Sequence, residues 1–331
     1  MERWCAGVSL FFICLFLVIP VCGHVPLSAG ENDDLAAATV IDQPEKSYVV
    51  YGHIHEPDGL AYYRFNMNAG QTLHVSLMVT GNDAAIPDLV IMGPGIPVSG
   101  TPPASLRIPQ GSTLFVISGR LPEHAEYEPF TPSAIYQVAS YTTLVPASGT
   151  YYVAVHTSRG EQDYSLAPGF REEFSAAEWL LVPVNVIGIH VWEGQSLAVI
   201  LAPCIAVVLL GIALLLRQQR RTKTSRTAFS WLAITAGLLY LGGASITLTQ
   251  MVRALSQTGF SPSVVVTLIF AAIPILLGIW ALRTGFSAES PLPITRRISI
   301  AVIGGLGLLF WAGLIIGPVM MFIAAVIPSR P

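Results

Sequence analysis

No cysteine lies between Cys22 and Cys204. The segment separating them therefore carries no disulfide, no thiolate nucleophile and no Cys-ligated zinc, and at about 150 residues before the first long apolar run it is large enough to bury a core unaided. Charge is also scarce. Only 11% of residues are charged and 53% are apolar, against roughly 25% and 45–50% in soluble chains, which marks a membrane protein. Bases are the rarer sign in the N-terminal half: between His24 and Gln195 eighteen acids face six bases, a balance that excludes nucleic acid as a partner. Gly-x-Ser-x-Gly, Gly-x-Gly-x-x-Gly and His-Glu-x-x-His are all missing, so no catalytic motif speaks for an enzyme.

What the chain has instead is apolar length. The run from Ser196 to Leu216 ends in Arg217, Arg220, Arg221, Lys223 and Arg226, and three more runs follow at Phe229 to Met251, Pro262 to Leu282 and Ile298 to Ile327. About 20 apolar residues make a helix long enough to cross a bilayer. Arg283, Arg296 and Arg297 fall between the last two runs, while Arg253 stands alone between the second and third. Basic loops stay in the cytoplasm, so the expectation is an all-α four-helix transmembrane bundle (about 196–216, 229–251, 262–282 and 298–327) with an extracytoplasmic N-terminal domain and both mature chain ends outside. Arg3, the apolar stretch Val8 to Val18 and Val21-Cys22-Gly23 read as a signal peptide, 1–23, cut before His24; an uncleaved anchor is the other reading. The runs hold no ionisable residue well away from their ends, which speaks against transport. Gly237, Gly242, Gly243, Ala244, Gly313 and Gly317 supply small faces for helix packing or a homo-oligomer.

Between leader and helices the pattern turns β-like. A polar segment, 24–47, precedes short β-branched and aromatic runs at Tyr48–Tyr51, Tyr62–Phe65, Thr72–Leu77, Leu89–Ile91, Thr113–Ile117, Tyr136–Ala139, Tyr151–Val155 and Tyr164–Leu166, separated by Gly, Pro and Asn-Asp turns. This spacing predicts an antiparallel sandwich over 48–174. Ser175 with Glu178 forms a capping box, and Phe174 with Trp179 a staple over it. A helix starts there, and Pro183 is expected to interrupt it. The segment 175–195 then reads as an interfacial linker with Trp179 and Trp192 at membrane depth.

Tyr62-Tyr63-Arg64-Phe65, Ala69-Gly70-Gln71-Thr72-Leu73, Asp88-Leu89, Ser148-Gly149-Thr150-Tyr151-Tyr152-Val153-Ala154-Val155 and Tyr164-Ser165-Leu166 together resemble the bacterial pre-peptidase C-terminal domain. That resemblance covers about a third of the chain, Tyr48 to Ala167, and implies an all-β jelly-roll-like sandwich used as a secreted accessory or binding module. Ala61 stands where the family often has an acid, so calcium binding does not carry over. The insert from Gly93 to Pro132, with Gly93-Pro94-Gly95 and Glu128-Pro129-Phe130-Thr131, is similar to multi-pass surface membrane proteins to which no activity attaches.

The candidate site is a metal pair. On a strand His53 and His55 share a face, and Glu56 or Asp58 adds an oxygen. A leader cut before His24 adds an amino-terminal histidine whose amine and ring chelate copper. The sequence thus supports a membrane-anchored binding or scaffolding protein whose partners are membrane lipids and an envelope or membrane-protein complex. Two alternatives stand beside it: copper or zinc handling by His24, His53 and His55, and a small transporter or channel with a sensing ectodomain.

Overall fold

The computed structural model describes residues 24–27, 29–81, 86–223, 226–287 and 292–327. The expected signal peptide at 1–23 lies outside the described residues. An N-terminal two-sheet β region is followed by six helices. The strands are β1 (Val25–Leu27), β2 (Thr39–Ile41), β3 (Tyr48–Ile54), β4 (Leu60–Met67), β5 (Thr72–Val79), β6 (Asp88–Gly93), β7 (Thr113–Ile117), β8 (Glu126–Glu128), β9 (Ser133–Leu144), β10 (Gly149–His156) and β11 (Gln162–Pro168). One sheet runs β1-β3-β11-β5-β9-β8 and the other β2-β4-β10-β6-β7.

Every run predicted as a strand is one. The segment 24–47 is more than a polar lead, because β1 and β2 join the edges of the two sheets by parallel pairing with β3 and β4. The period of two then sorts side chains between faces. Tyr151, Val153 and Val155 of β10 enter the core between the sheets with Tyr63, Phe65 and Leu166. Ala154, on its other face, is buried too, with Tyr62, Val90 and Met92. That second burial comes from the Pro-rich insert: Leu106 packs there, the Arg107 amide donates to the Tyr62 phenol at 3.0 Å, and the Arg107 guanidinium pairs with Asp34 at 2.7 Å. Across the inner core the Tyr63 and Tyr164 hydroxyls bond each other at 2.7 Å, which gives both buried phenols a partner.

The helices are α1 (Ala176–Trp192), α2 (Leu197–Thr222), α3 (Ala228–Thr258), α4 (Val264–Phe286), α5 (Ile294–Leu309) and α6 (Ile316–Val326). Three of them, α2, α3 and α4, are long and apolar enough to cross a membrane. The fourth expected span, 298–327, is not one helix. The chain breaks after Leu309, where Trp311, Gly313, Leu314 and Ile315 all take positive φ, and α6 turns back along α5. Arg297, near the start of α5, donates to the carbonyls of Ala325 and Ile327 at the end of α6, at 2.8 and 2.9 Å. The four-helix expectation is therefore corrected to three long helices and a hairpin that returns to the end it left. The glycines of the run, which read as a packing stripe, make the break and the close approach possible. A Cβ on Gly307, Gly313 or Gly317 would lie 2.3 to 2.7 Å from the ring or hydroxyl of Tyr240.

Helix α3 is the hub of this half, with thirteen buried residues against three in α2. Its Gly237 meets Gly278 of α4 so closely that a Cβ on either would lie 2.9 or 3.0 Å from the other's carbonyl oxygen.

Candidate functional site

The capping box at the head of α1 is formed as read: Ser175 accepts from the Glu178 amide and the Glu178 carboxylate accepts from the Ser175 amide. Lys46 adds an ion pair to Glu178 at 2.8 Å, and the Phe174 and Trp179 rings meet edge-on at 5.9 Å. Pro183 does not interrupt the helix. A proline leaves the carbonyl four residues back without its amide, here that of Trp179, and the Trp311 indole donates to it at 2.8 Å. In return the Trp179 indole donates to the Leu309 carbonyl, at 3.1 Å, at the end of α5. The two indoles, tilted against each other with centroids 4.4 Å apart, thus each donate to a backbone carbonyl across the junction, and α1 is tied to the tip of the hairpin. The expected linker at 175–195 is a continuous helix because a neighbouring element supplies the missing donor.

The Glu128-Pro129-Phe130-Thr131 segment docks the β region on α4. Thr267 donates its one hydroxyl proton to the Pro129 carbonyl at 2.7 Å, so the Tyr127 phenol, also at 2.7 Å, is the donor to Thr267. The Phe130 ring lies edge-on to Phe270 at 5.4 Å. At the far end of α1, Trp192 packs on Tyr51 of β3 at 4.9 Å. Beside it Glu193 accepts from Ser133, from His190 at 2.8 Å and from Gln195 at 3.3 Å. Gln195 and Gln250 exchange amide hydrogen bonds at 3.0 and 2.8 Å, joining this corner to α3.

These contacts enclose a cavity of about 200 Å³ between the outer face of the six-stranded sheet, α1, the upper parts of α3 and α4, and the hairpin tip. Tyr51, Phe130, Phe174, Trp179, Trp192, Phe270, Phe310 and Trp311 line it, together with Glu128, His190, Glu193 and His24. Burial pushes the Glu128 carboxyl up to about 7; the Phe130 amide opposes this and the charge of Glu172 adds to it. The Tyr51 phenol is pushed upward by burial and then by the negative charges of Glu128 and Glu193, so both carboxylates act on one side of the cavity. Ser133 and His190 each bond Glu193 rather than one another. That arrangement fixes the Glu193 carboxylate.

The metal candidates fall in two places. The His53 and His55 rings lie tilted against each other at 4.4 Å, and His53 contacts Asp163, its cross-strand neighbour on β11, at 2.5 Å. His24 instead bonds Ser47 at 2.6 Å, six residues from His53 along β3 and hence about 20 Å away. Among the described residues no three His, Cys, Asp or Glu side chains group as a metal set. Burial, with His74 close by, holds the His24 imidazole below its ordinary value. A separate cluster sits at the end of β10, where the buried His156 ring lies 3.8 Å from both Asp58 and Asp88. The imidazole holds the Asp88 carboxyl below its ordinary range.

Sequence reasoning picked out the Glu128 segment and both tryptophans of α1 without connecting them. The chain matches no family model and no curated protein.

Proposed function

We propose that this chain is a membrane-anchored binding protein of the extracytoplasmic face, taking a small apolar or amphiphilic ligand in the cavity between its β region and its helices. The observation that carries the reading is the cavity itself: three separate elements are held around an aromatic-lined space by hydrogen bonds between backbone and side chain. Ligand sites favour such junctions, with apolar walls and a few placed polar groups. The likeness of Tyr48 to Ala167 to a jelly-roll-like pre-peptidase C-terminal domain, an accessory or binding module, supports the same assignment.

The orientation is supported by charge. Arg226 packs over Phe286 at the end of α4, and Arg296 and Arg297 open α5, so these bases gather at one end of the helices. The β region docks at the other, on Thr267 directly and on Gln250 by way of Glu193 and Gln195. Basic ends face the cytoplasm, and the β region then faces outward. A partner in the envelope or membrane, and self-association through α2, remain part of this proposal, since α2 leaves Leu209, Leu210 and Leu214 more than half exposed.

A transporter reading draws on the broken hairpin, because non-helical backbone at membrane depth is tolerated where it lines a cavity. Flux in liposomes tests it, and a folded protein without flux removes it. The binding reading is tested with the full chain in maltoside micelles, screening neutral, cationic and anionic amphiphiles by thermal shift. At least one class is expected to raise the Tm, and Val186→Trp, which fills the cavity from α1, to abolish the shift. No shift with any class would sink the proposal.

A further inference from the structure

The walls of the cavity carry one sign of charge and one kind of ring. Phe174, Trp179, Trp311, Phe270 and Phe130 form an unbroken chain of ring contacts, with centroids 4.4 to 5.9 Å apart. Among the described residues no lysine or arginine lines the space, while Glu128 and Glu193 both do. Building on the binding reading above, we infer that the cavity takes an alkylated ammonium group, tertiary or quaternary.

Three features select that chemistry. Aromatic faces attract a cation through the ring quadrupole, most strongly where water is excluded. An anion would meet two carboxylates and no cation. The degree of alkylation follows from the carboxylate oxygens. Glu193 has both engaged, by Ser133 on one side and by His190 and Gln195 on the other, and Glu128 Oε1 accepts the Phe130 amide at 3.1 Å. No hydrogen bond among the described residues reaches Glu128 Oε2. One free carboxylate oxygen suits a tertiary ammonium with one N–H, or a quaternary one with none, better than a primary ammonium with three donors. Size agrees: a cavity of ~150 Å³ holds benzene, so about 200 Å³ holds a trimethylammonium head.

Binding is expected to depend on pH. The titratable groups around Glu128 are Tyr51 on β3, His24 ahead of β1, His190 and Glu193 at the end of α1, and Glu172 ahead of that helix. The burial that favours the protonated Glu128 carboxyl is offset when a cation arrives, so affinity rises as pH rises through about 7.

The test uses the full chain in maltoside micelles and three probes: choline, dodecyltrimethylammonium below its micelle concentration, and 3,3-dimethyl-1-butanol, the uncharged isostere of choline. At pH 8 a cation is expected to bind roughly tenfold tighter than the isostere, and to lose most of that preference at pH 6. Tighter binding of choline identifies a free solute as the source of the head group, and tighter binding of the dodecyl compound an amphiphile. Glu128→Gln should cut the preference for the cation over the isostere and remove its dependence on pH. Phe270→Leu, which keeps the apolar bulk and removes a ring, should weaken the cation several-fold more than the isostere. Equal binding of cation and isostere by the unaltered protein would overturn this inference while leaving the binding reading in place. Binding of no probe here, and of no class in the amphiphile screen, would remove both.

Discussion

The two halves of this protein are held together by opposite means. In the β region the largest side chains are the most buried: Tyr62, Tyr63, Phe65, Tyr151 and Tyr164 are at most 1% exposed, and the phenols of Tyr63, Tyr151 and Tyr164 all find partners. Among the helices the closest contacts are made by the smallest residues, Gly237 on Gly278 and three glycines around Tyr240, while large apolar side chains of α2 point outward. Water drives the first arrangement, since burying a large apolar side chain is worth about 1.5–3 kcal/mol. Lipid offers no such drive between helices, so close van der Waals approach takes its place. One chain thus shows which property of a residue, bulk or absence of bulk, each solvent selects.

The sharpest test of this contrast is Tyr240→Ala, which empties the one large ring that the helical glycines enclose. A loss of about 3–5 kcal/mol is expected, measured by unfolding the full chain in maltoside, and a loss within error would deny that this half is held by packing. Next comes pH. The Glu128 carboxyl sits near 7 in the folded chain against an ordinary value of 4.5. Below 4.5 it is protonated in both states and has no effect. Between these values the unfolded chain ionises first, so stability falls as pH rises, by up to about 3 kcal/mol in all. Melting from pH 4 to 8 reads this slope, and Glu128→Gln should flatten it.

Trp311→Phe strands the Trp179 carbonyl and should cost about 1–3 kcal/mol. Adding Pro183→Ala supplies an amide within the helix and should recover most of the loss; failure to recover would show that the indole bond is not a substitute for the missing one. Tyr63→Phe, which removes half of the buried phenol pair, is expected to cost about 1 kcal/mol. Smallest of all is Leu210→Ala on α2, where 63% of the residue is exposed: less than about 0.5 kcal/mol in micelles, despite the large apolar area removed.

Much of the fold was legible. Thr113 to Ile117 is β7 to the residue and the Ser175 cap lies where the pattern puts it, whereas α2 runs on past Leu216 through the basic cluster to Thr222. The failures share a cause. Pro183 was read as a breaker because its local chemistry is all that a sequence shows, and the rescuing indole lies more than a hundred residues away. The run Ile298 to Ile327 is long and apolar enough for a span, and nothing in its composition announces positive φ at Ile315, a β-branched residue for which that region is costly. Strands β1 and β2 were missed because three residues are too few to show a period. The candidate site was the least legible part. Its carboxylates are an ordinary Glu at the end of β8 and another just after α1, and only the meeting of sheet, α1 and hairpin tip brings both to one cavity. The histidine pair stood out through its spacing, yet His24 lies at the other end of β3.

The hairpin of α5 and α6 also changes the parity of the chain. Three candidate crossings and one turn back make an odd count that leaves Ile327 at the Arg297 end, opposite the dock of the β region on Thr267. A reporter fused there and one fused ahead of β1 should answer from opposite compartments, whichever way the protein is inserted.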